Sequence, residues 1–259
     1  MKRGKWTGTA CLAHSSGIVS EIAGVLGETE EAEEYMKLSQ ETARAYRNIL
    51  MDENCHIKGG DFQTAFVLPL YYNMLSGNDK KKTAANLVNL IRDNNYNIKT
   101  GFPGTPYVLF ALADNGYLED AYKMLLADTC PSWLYEVKAG ATTMWERWDA
   151  LREDGSCNLG EDNGSGGMVS FNHYANGAVG DFFYRRILGI EATEGGYKTF
   201  RIAPQPGGGL SWAKGNVNTP YGRIRVSWTI ENDRFKLEIE VPAGTRCEII
   251  LPSGRKVTE

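Results

Sequence analysis

Apolar residues recur every three to four positions through most of this chain, and then, beyond residue 197, at every second position. The first spacing lines one face of an α-helix and the second lines one face of a strand, and no single element satisfies both. The chain must therefore be built as a helical region followed by a β region. The change falls in "GIEATEGGYK", around 190–198, and we set the domains at 1–195 and 196–259.

Within the helical region, Leu12, Ser15, Val19, Ile22 and Leu26 share one face, and Gly27 can close that helix. Thr29 is placed to cap the next helix, with Glu30 and Glu31 in its first turn, where negative charge suits the helix dipole. Its inner stripe reads Ala32, Tyr35, Met36, Ala43, Tyr46, Ile49 and Leu50. Residues 61–75 have helical spacing, but Pro69 should kink that helix or remove a backbone hydrogen bond. A helix from Asp79 to Arg92 should turn Ala84, Leu87, Val88 and Ile91 inward. Thr105 and Pro106 read as cap and first turn of another, stopped by Asn115 and Gly116. A short helix over 117–127 follows, and the last one spans 174–188. Short connections favour antiparallel helical hairpins.

In the β region, "YKTFRIAP", "GRIRVSWTI", "RFKLEIEV" and "RCEIILP" alternate apolar and polar residues between Pro and Gly breaks. Ile224, Val226, Trp228 and Ile230 share a face, as do Phe235, Leu237, Ile239 and Val241, with a hairpin turn at 231–233.

Composition excludes several classes. A net charge of −4 without a basic tract argues against nucleic acid as partner. No unbroken apolar run approaches the roughly 20 residues of a membrane helix. The first residues lack the continuous apolar segment of a signal peptide. Cys11, Cys55, Cys130, Cys157 and Cys247 form no CxxC pair, so neither a disulfide framework nor a zinc site is expected; the reading has no cofactor or metal, and a reducing cytoplasm is the simplest compartment.

Chemistry concentrates in a few stretches. "ATTMWERWDAL" sets Glu146 between Trp145 and Trp148 with Arg147 beside it. Apolar ring surface strips water from a carboxylate and raises its proton affinity, and indole faces also stack on sugar C–H faces. The plainer alternative is two core tryptophans and a solvated Glu146–Arg147 pair. Glycoside hydrolysis uses paired carboxylates, roughly 6.5–9.5 Å apart in an inverting enzyme, and Glu146 is the candidate for one. Asp149, Glu153 and Asp154 lie in a polar loop and read as solvated. "SFNHYANG" places His173 between Asn172 and Tyr174 at a helix start. It reads either as a hydrogen-bonded structural histidine or as a donor to substrate hydroxyls, and Ser170 or Asn172 reads as a helix cap. "NIKTGFPGTPY" carries Phe102 and Tyr107 in a loop of the kind that holds sites. "CPSWLYEV" carries Trp133 and Tyr135, either stacking platforms or core. The glycines of "PQPGGG" lack the ending of a phosphate loop, and "EDGSCNLGEDNGSGG" lacks the order of a calcium loop.

Taken together, "GATTMWERWD", "SFNHYANGAVGDFFYRRILGI", "GYKTFRIAPQPGGGLSWAKG", "TPYGRIRVSW" and, upstream, "GGDFQTAFVLPLYYNML" and "TGFPGTPYVLFALADNGYLEDAYKMLL" resemble the C-terminal half of bacterial α-L-rhamnosidases. The resemblance implies a partial (α/α)6 toroid of helical hairpins followed by a small antiparallel β-sandwich. It implies inverting hydrolysis of terminal α-L-rhamnosides, with Glu146 as general base and His173 on the rhamnose hydroxyls. Trp145, Trp148, Trp133, Asn172 and Phe102 complete the expected sugar site.

The chain departs from that family in one respect. The family's acid-bearing stretch, resembling "DCPQRDER", has no counterpart here, and about eight helices are readable where a full toroid has about twelve. The expectation is a C-terminal segment, weakly active or inactive alone, that associates with itself or with an N-terminal half. Two other readings stay open: a carbohydrate-binding or scaffold module without catalysis, and an α/α-toroid glycosidase for another sugar.

Overall fold

The computed structural model describes residues 4–152, 154–159 and 167–252, and the backbone of 256–257. The chain divides into two compact units, Met1–Gly177 and Ala178–Glu259.

The first unit is a stack of hairpins. Helix α1 (Gly4–Leu26) pairs with α2 (Thr29–Ala45), α3 (Gln63–Tyr71) with α4 (Gly77–Asp93), and α5 (Val108–Ala113) with α6 (Leu118–Leu125). Helices α1, α3 and α5 touch in sequence and form one row, each backed by its own partner. Composition explains the rows: α3 between Gln63 and Leu70 is buried on every side, as is α5 from Val108 to Leu112, whereas α4 buries only one stripe, Thr83, Ala84, Leu87, Val88 and Ile91. The α4 stripe is the one its spacing predicts.

Because hairpin neighbours run antiparallel, the connections alternate between two ends. The links after α1, α3 and α5 are short, and the longer ones, 51–62 and 94–107, lie at the other end. Gln63, at the start of α3, donates to the Asn97 carbonyl at 2.9 Å and accepts from the Lys99 amide at 2.7 Å, which ties the long 94–107 link to that end.

Pro69 is accommodated without loss of pairing. It sits in the last turns of α3, where its missing N–H leaves the Ala65 carbonyl, four residues back, without its helical donor. The Tyr46 hydroxyl, buried in a π-helical turn at Tyr46–Leu50, donates to that carbonyl at 2.6 Å.

Several expectations are corrected. In α1 the buried stripe is Trp6, Ala10, Ala13, Ser16, Ser20 and Ala23; small residues let α2 approach closely, and Ser39 of α2 donates to the Ala13 carbonyl at 2.7 Å. Leu12, Val19, Ile22 and Leu26 are exposed instead, along with Tyr35, Met36 and Ile49 of the second hairpin arm. Thr29 is the first residue of α2, and Glu28 stands at the N-cap position without a side-chain bond; α5 begins at Val108, and Thr105 bonds through its hydroxyl to Gly101 and Thr100 instead of capping it. By length and composition alone α1 is long and apolar enough to cross a bilayer, although it holds no unbroken apolar run, because its apolarity is spread over Ala and Gly between larger residues. The expected helix over 174–188 is three pieces, α8 (Tyr174–Gly177), α9 (Val179–Phe182) and a π-helical turn at Phe183–Ile187.

The second unit holds two sheets. One has the order β1 (Ile190–Ala192), β2 (Thr199–Ile202), β6 (Arg246–Ile249); the other has β3 (Trp212–Thr219), β4 (Gly222–Glu231), β5 (Arg234–Glu240), β7 (Lys256–Val257). Pairing is antiparallel except for β2–β6 and β5–β7, which are parallel. Ile224, Val226 and Trp228 of β4 are buried as their alternation predicts, and the Trp228 indole donates to the Ile187 carbonyl at 2.8 Å. The β4–β5 turn places Asn232 and Asp233 at φ of 49° and 60°, the left-handed pair a two-residue hairpin needs. Gly189, at φ 78°, has no room for a side chain: a Cβ would lie 2.2 Å from the Ala203 carbonyl carbon.

Candidate active site

The candidate residues come from three segments at the long-link end of the first unit: the 94–107 link, the helix α7 (Trp133–Lys138) with the loop after it, and 170–176. Their backbones hold one another. The Glu146 amide donates to the Ser170 carbonyl at 2.9 Å and the His173 amide to the Met144 carbonyl at 2.8 Å, so 144–146 and 170–173 run together. Thr143 donates its hydroxyl to the Phe171 carbonyl. The Asn176 side chain, buried, donates to the carbonyls of Trp145 at 2.8 Å and Glu146 at 3.4 Å.

Glu146 is half-buried, and its Oε2 accepts the Ser170 amide at 2.8 Å. A backbone amide on one oxygen fixes the orientation of the carboxyl group. Arg147 is not its partner: the guanidinium lies 3.4 Å from Asp149, which also accepts from Asn158 at 2.7 Å. His173 is half-buried with its ring stacked on Phe102, centroids 4.3 Å apart, and its Nδ1 lies 3.4 Å from the Ala175 amide. That contact makes Nδ1 the acceptor and leaves the proton on Nε2. It also gives His173 the capping position expected of Ser170 or Asn172; Ser170 instead closes a turn with Asn172, which is exposed.

The aromatic residues divide. Trp133 and Trp145 are each 3% exposed. The Trp133 indole donates to the Asn176 carbonyl at 2.9 Å and meets Trp148 edge-on, and Trp145 meets Phe171 edge-on. Both of these indoles are therefore core supporting the loop, with no open face for stacking on a sugar. Phe102, exposed, and Trp148, half-buried, keep accessible ring surface. Tyr107 stacks on Tyr71, and Tyr135 donates to the Leu151 carbonyl at 3.1 Å. Asp154 accepts from Ser156; Glu153 and most of the glycine-rich stretch read against calcium lie outside the described residues.

Two residues of the site were not singled out in the sequence. Asn176 lay within "SFNHYANG", three residues after His173, where an amide can face the same neighbours. Glu136 lay within "CPSWLYEV", three residues after Trp133 on α7. Glu136 is 0% exposed, with Oε2 accepting the Trp145 amide at 3.1 Å and Oε1 buried without a partner among the described residues. Burial pushes its pKa up to about 7, against a smaller opposing effect of the Trp145 hydrogen bond.

Known proteins show the same arrangement of sequence. Residues 2–187 match the bacterial alpha-L-rhamnosidase 6 hairpin glycosidase domain, and residues 189–259 match the bacterial alpha-L-rhamnosidase C-terminal domain. The chain belongs to the bacterial α-L-rhamnosidase family. An α-L-rhamnosidase of Formosa agariphila is 38% identical over 247 residues, 95% of this chain and 26% of the relative. One of Streptomyces avermitilis is 36% identical over 245 residues, 95% of this chain and 23% of the relative. The chain thus spans about a quarter of the length of these rhamnosidases. Among solved structures, native α-L-rhamnosidase from Aspergillus terreus superposes with a TM-score of 0.88 at 35% identity, over 94% of this chain and 28% of that one. The Streptomyces avermitilis rhamnosidase complexed with L-rhamnose superposes at 0.87 and 36% identity, over 95% and 23%. The helical-hairpin region followed by an antiparallel-rich β region is the arrangement of these rhamnosidases.

Proposed function

We propose that this chain carries the base side of an inverting α-L-rhamnoside hydrolase site. The observation that supports it best is the backbone bonding of 144–146 to 170–173, which sets Glu146, held at Oε2 by the Ser170 amide, on a loop segment tied directly to the one that carries His173. In this reading Glu146 takes a proton through Oε1 from the water that attacks the anomeric carbon, on the face opposite the departing group. The Nε2–H of His173 donates to a rhamnose hydroxyl, and Phe102 and Trp148 border the sugar. A rhamnose-bound homologue at 36% identity supports the choice of sugar.

The general acid is not among the residues that carry the resemblance, so the chain alone turns over poorly; each positioned acid or base contributes about 10²–10⁴-fold. The test is hydrolysis of an aryl α-L-rhamnoside. Weak turnover, lowered further by Glu146→Gln, supports the reading, while strong turnover unaffected by that substitution refutes it.

The apolar stripe of α1 favours association as part of this function. Ile22 is 54% exposed and Leu26 is 71% exposed, and each such side chain gains roughly 1.5–3 kcal/mol on full burial. Further helical hairpins, from a second copy or an N-terminal half, cover it in this proposal. Sedimentation that gives a monomer at high concentration, with an N-terminal half also failing to bind, would overturn it.

A further inference from the structure

We propose that Glu136 is a positioning residue for the candidate site, holding the loop that carries Glu146 through the Trp145 amide and releasing that hold when its carboxyl ionises. The inference rests on the functional reading above for what is positioned, but the contact itself is independent of it.

Glu136 sits on α7, whose start is fixed by Ser132, with the hydroxyl accepting the Tyr135 amide at 3.2 Å. From there the side chain reaches the backbone of Trp145, one residue before Glu146. The Trp145 indole is buried, and its carbonyl takes the Asn176 amide, so movement of this backbone is transmitted to both ends of the 144–146 pairing. A fully buried acid with one oxygen unpartnered is stable where it lies only while neutral; as an anion it leaves a buried charge without a counter-ion. Ionisation by itself strengthens the Trp145 N–H bond to Oε2; in this proposal the hold is lost because the uncompensated charge draws in water and the backbone bonded to the carboxyl at Trp145 gives way.

Among the described residues, the titratable and charged groups on the segments packed around it give no cation in hydrogen-bonding range of the carboxyl. Ahead of α7 stands Cys130, whose thiol burial pushes up to about 11, with the nearby Asp149 and Glu136 adding to the rise. On the loop stand Glu146, bonded to Ser170, Arg147, which faces Asp149, and Asp149 itself. His173 lies on 170–176, against Phe102. On α7, Lys138 is exposed and pairs with Asp128.

The experiment is a nuclear magnetic resonance titration of the 259-residue chain from pH 5.5 to 8.5, following backbone amides and glutamate carboxyl carbons, for wild type and Glu136→Gln. Gln keeps an oxygen that can accept the Trp145 amide but cannot ionise. The expected result is one glutamate carbon with a midpoint near 7, shared by the Trp145, Glu146 and Ser170 amides, and loss of that transition in Glu136→Gln. If Glu136→Gln does not fold, the shared midpoint in wild type decides. Amides that stay flat, or that keep the transition in Glu136→Gln, overturn the inference. L-rhamnose calorimetry on the same samples separates the two claims: affinity that falls at least threefold between pH 6 and 8 in wild type, and not in Glu136→Gln, supports the positioning role. Absence of rhamnose heat at every pH counts against the functional reading instead, and the amides then decide for Glu136.

Discussion

The rings of Phe102 and His173 lie face to face, 4.3 Å apart and 17° from parallel. One belongs to the link between α4 and α5 and the other to the segment paired with Glu146, so this stack is a direct join between two long connections. A stacked aromatic pair contributes about 0.5–1.5 kcal/mol beyond burial. Phe102→Ala should lower L-rhamnose affinity several-fold, because the imidazole loses its backing, while the melting temperature changes little at so exposed a position. Calorimetry and thermal unfolding of the same variant check both parts.

Asn176 holds two carbonyls of the Glu146 loop from a buried position. Asn176→Asp replaces the donor by an acceptor facing acceptors, and should destabilise the first unit by about 1–3 kcal/mol. Urea unfolding followed by tryptophan fluorescence measures it. Equal stability would mean that the loop is held by its other contacts.

Tyr46 and Pro69 should be energetically coupled. Tyr46→Phe leaves the Ala65 carbonyl buried without a donor and should cost about 1–3 kcal/mol. In the Pro69→Ala background the new N–H can serve that carbonyl, and Tyr46→Phe should cost less. A double-mutant cycle reads the difference directly.

Two glutamates should shape stability against pH in opposite senses. Glu136 has its folded pKa raised from 4.5 to about 7 by burial, so the folded state keeps a proton the unfolded chain has lost. Stability should therefore fall as pH rises from about 4.5 to 7 and then level, by up to roughly 3 kcal/mol, and Glu136→Gln should flatten that slope. Glu191, in the second unit, is raised by burial but more strongly lowered by hydrogen bonds from Arg185 and Arg201 and the charge of Arg186, ending at about 2. Its contribution is complete above about 4.5 and is lost as pH falls toward 2. Melting curves across both windows, with Glu136→Gln and Glu191→Gln, check the two signs.

What was legible in the sequence depended on how strongly pattern and burial agree. The α4 stripe and the alternation in β4 were readable because each element has one wet face. The α1 stripe departs from the pattern because its leucine, valine and isoleucine side chains are exposed and, apart from Trp6, its packing face is made of Ala and Ser. Strand β3, with Lys214, Asn216 and Asn218 interleaved among small residues, offers almost no apolar alternation, and β1 is too short to show any. In the site, Glu146 and His173 stood out by their unusual neighbours. Glu136 did not, since only the fold reveals that an acid on a short helix is sealed from water.

Short links at one end of the hairpins and long ones at the other give the two ends unequal freedom. Doubling a flexible link costs only about 0.6 kcal/mol of closure entropy, so the end bearing Phe102 and His173 tolerates insertions without displacing either row of helices. The tight turns opposite have no such slack. New sugar preferences can accordingly arise by lengthening or trading connections at one rim, while the stacked hairpins are inherited unchanged.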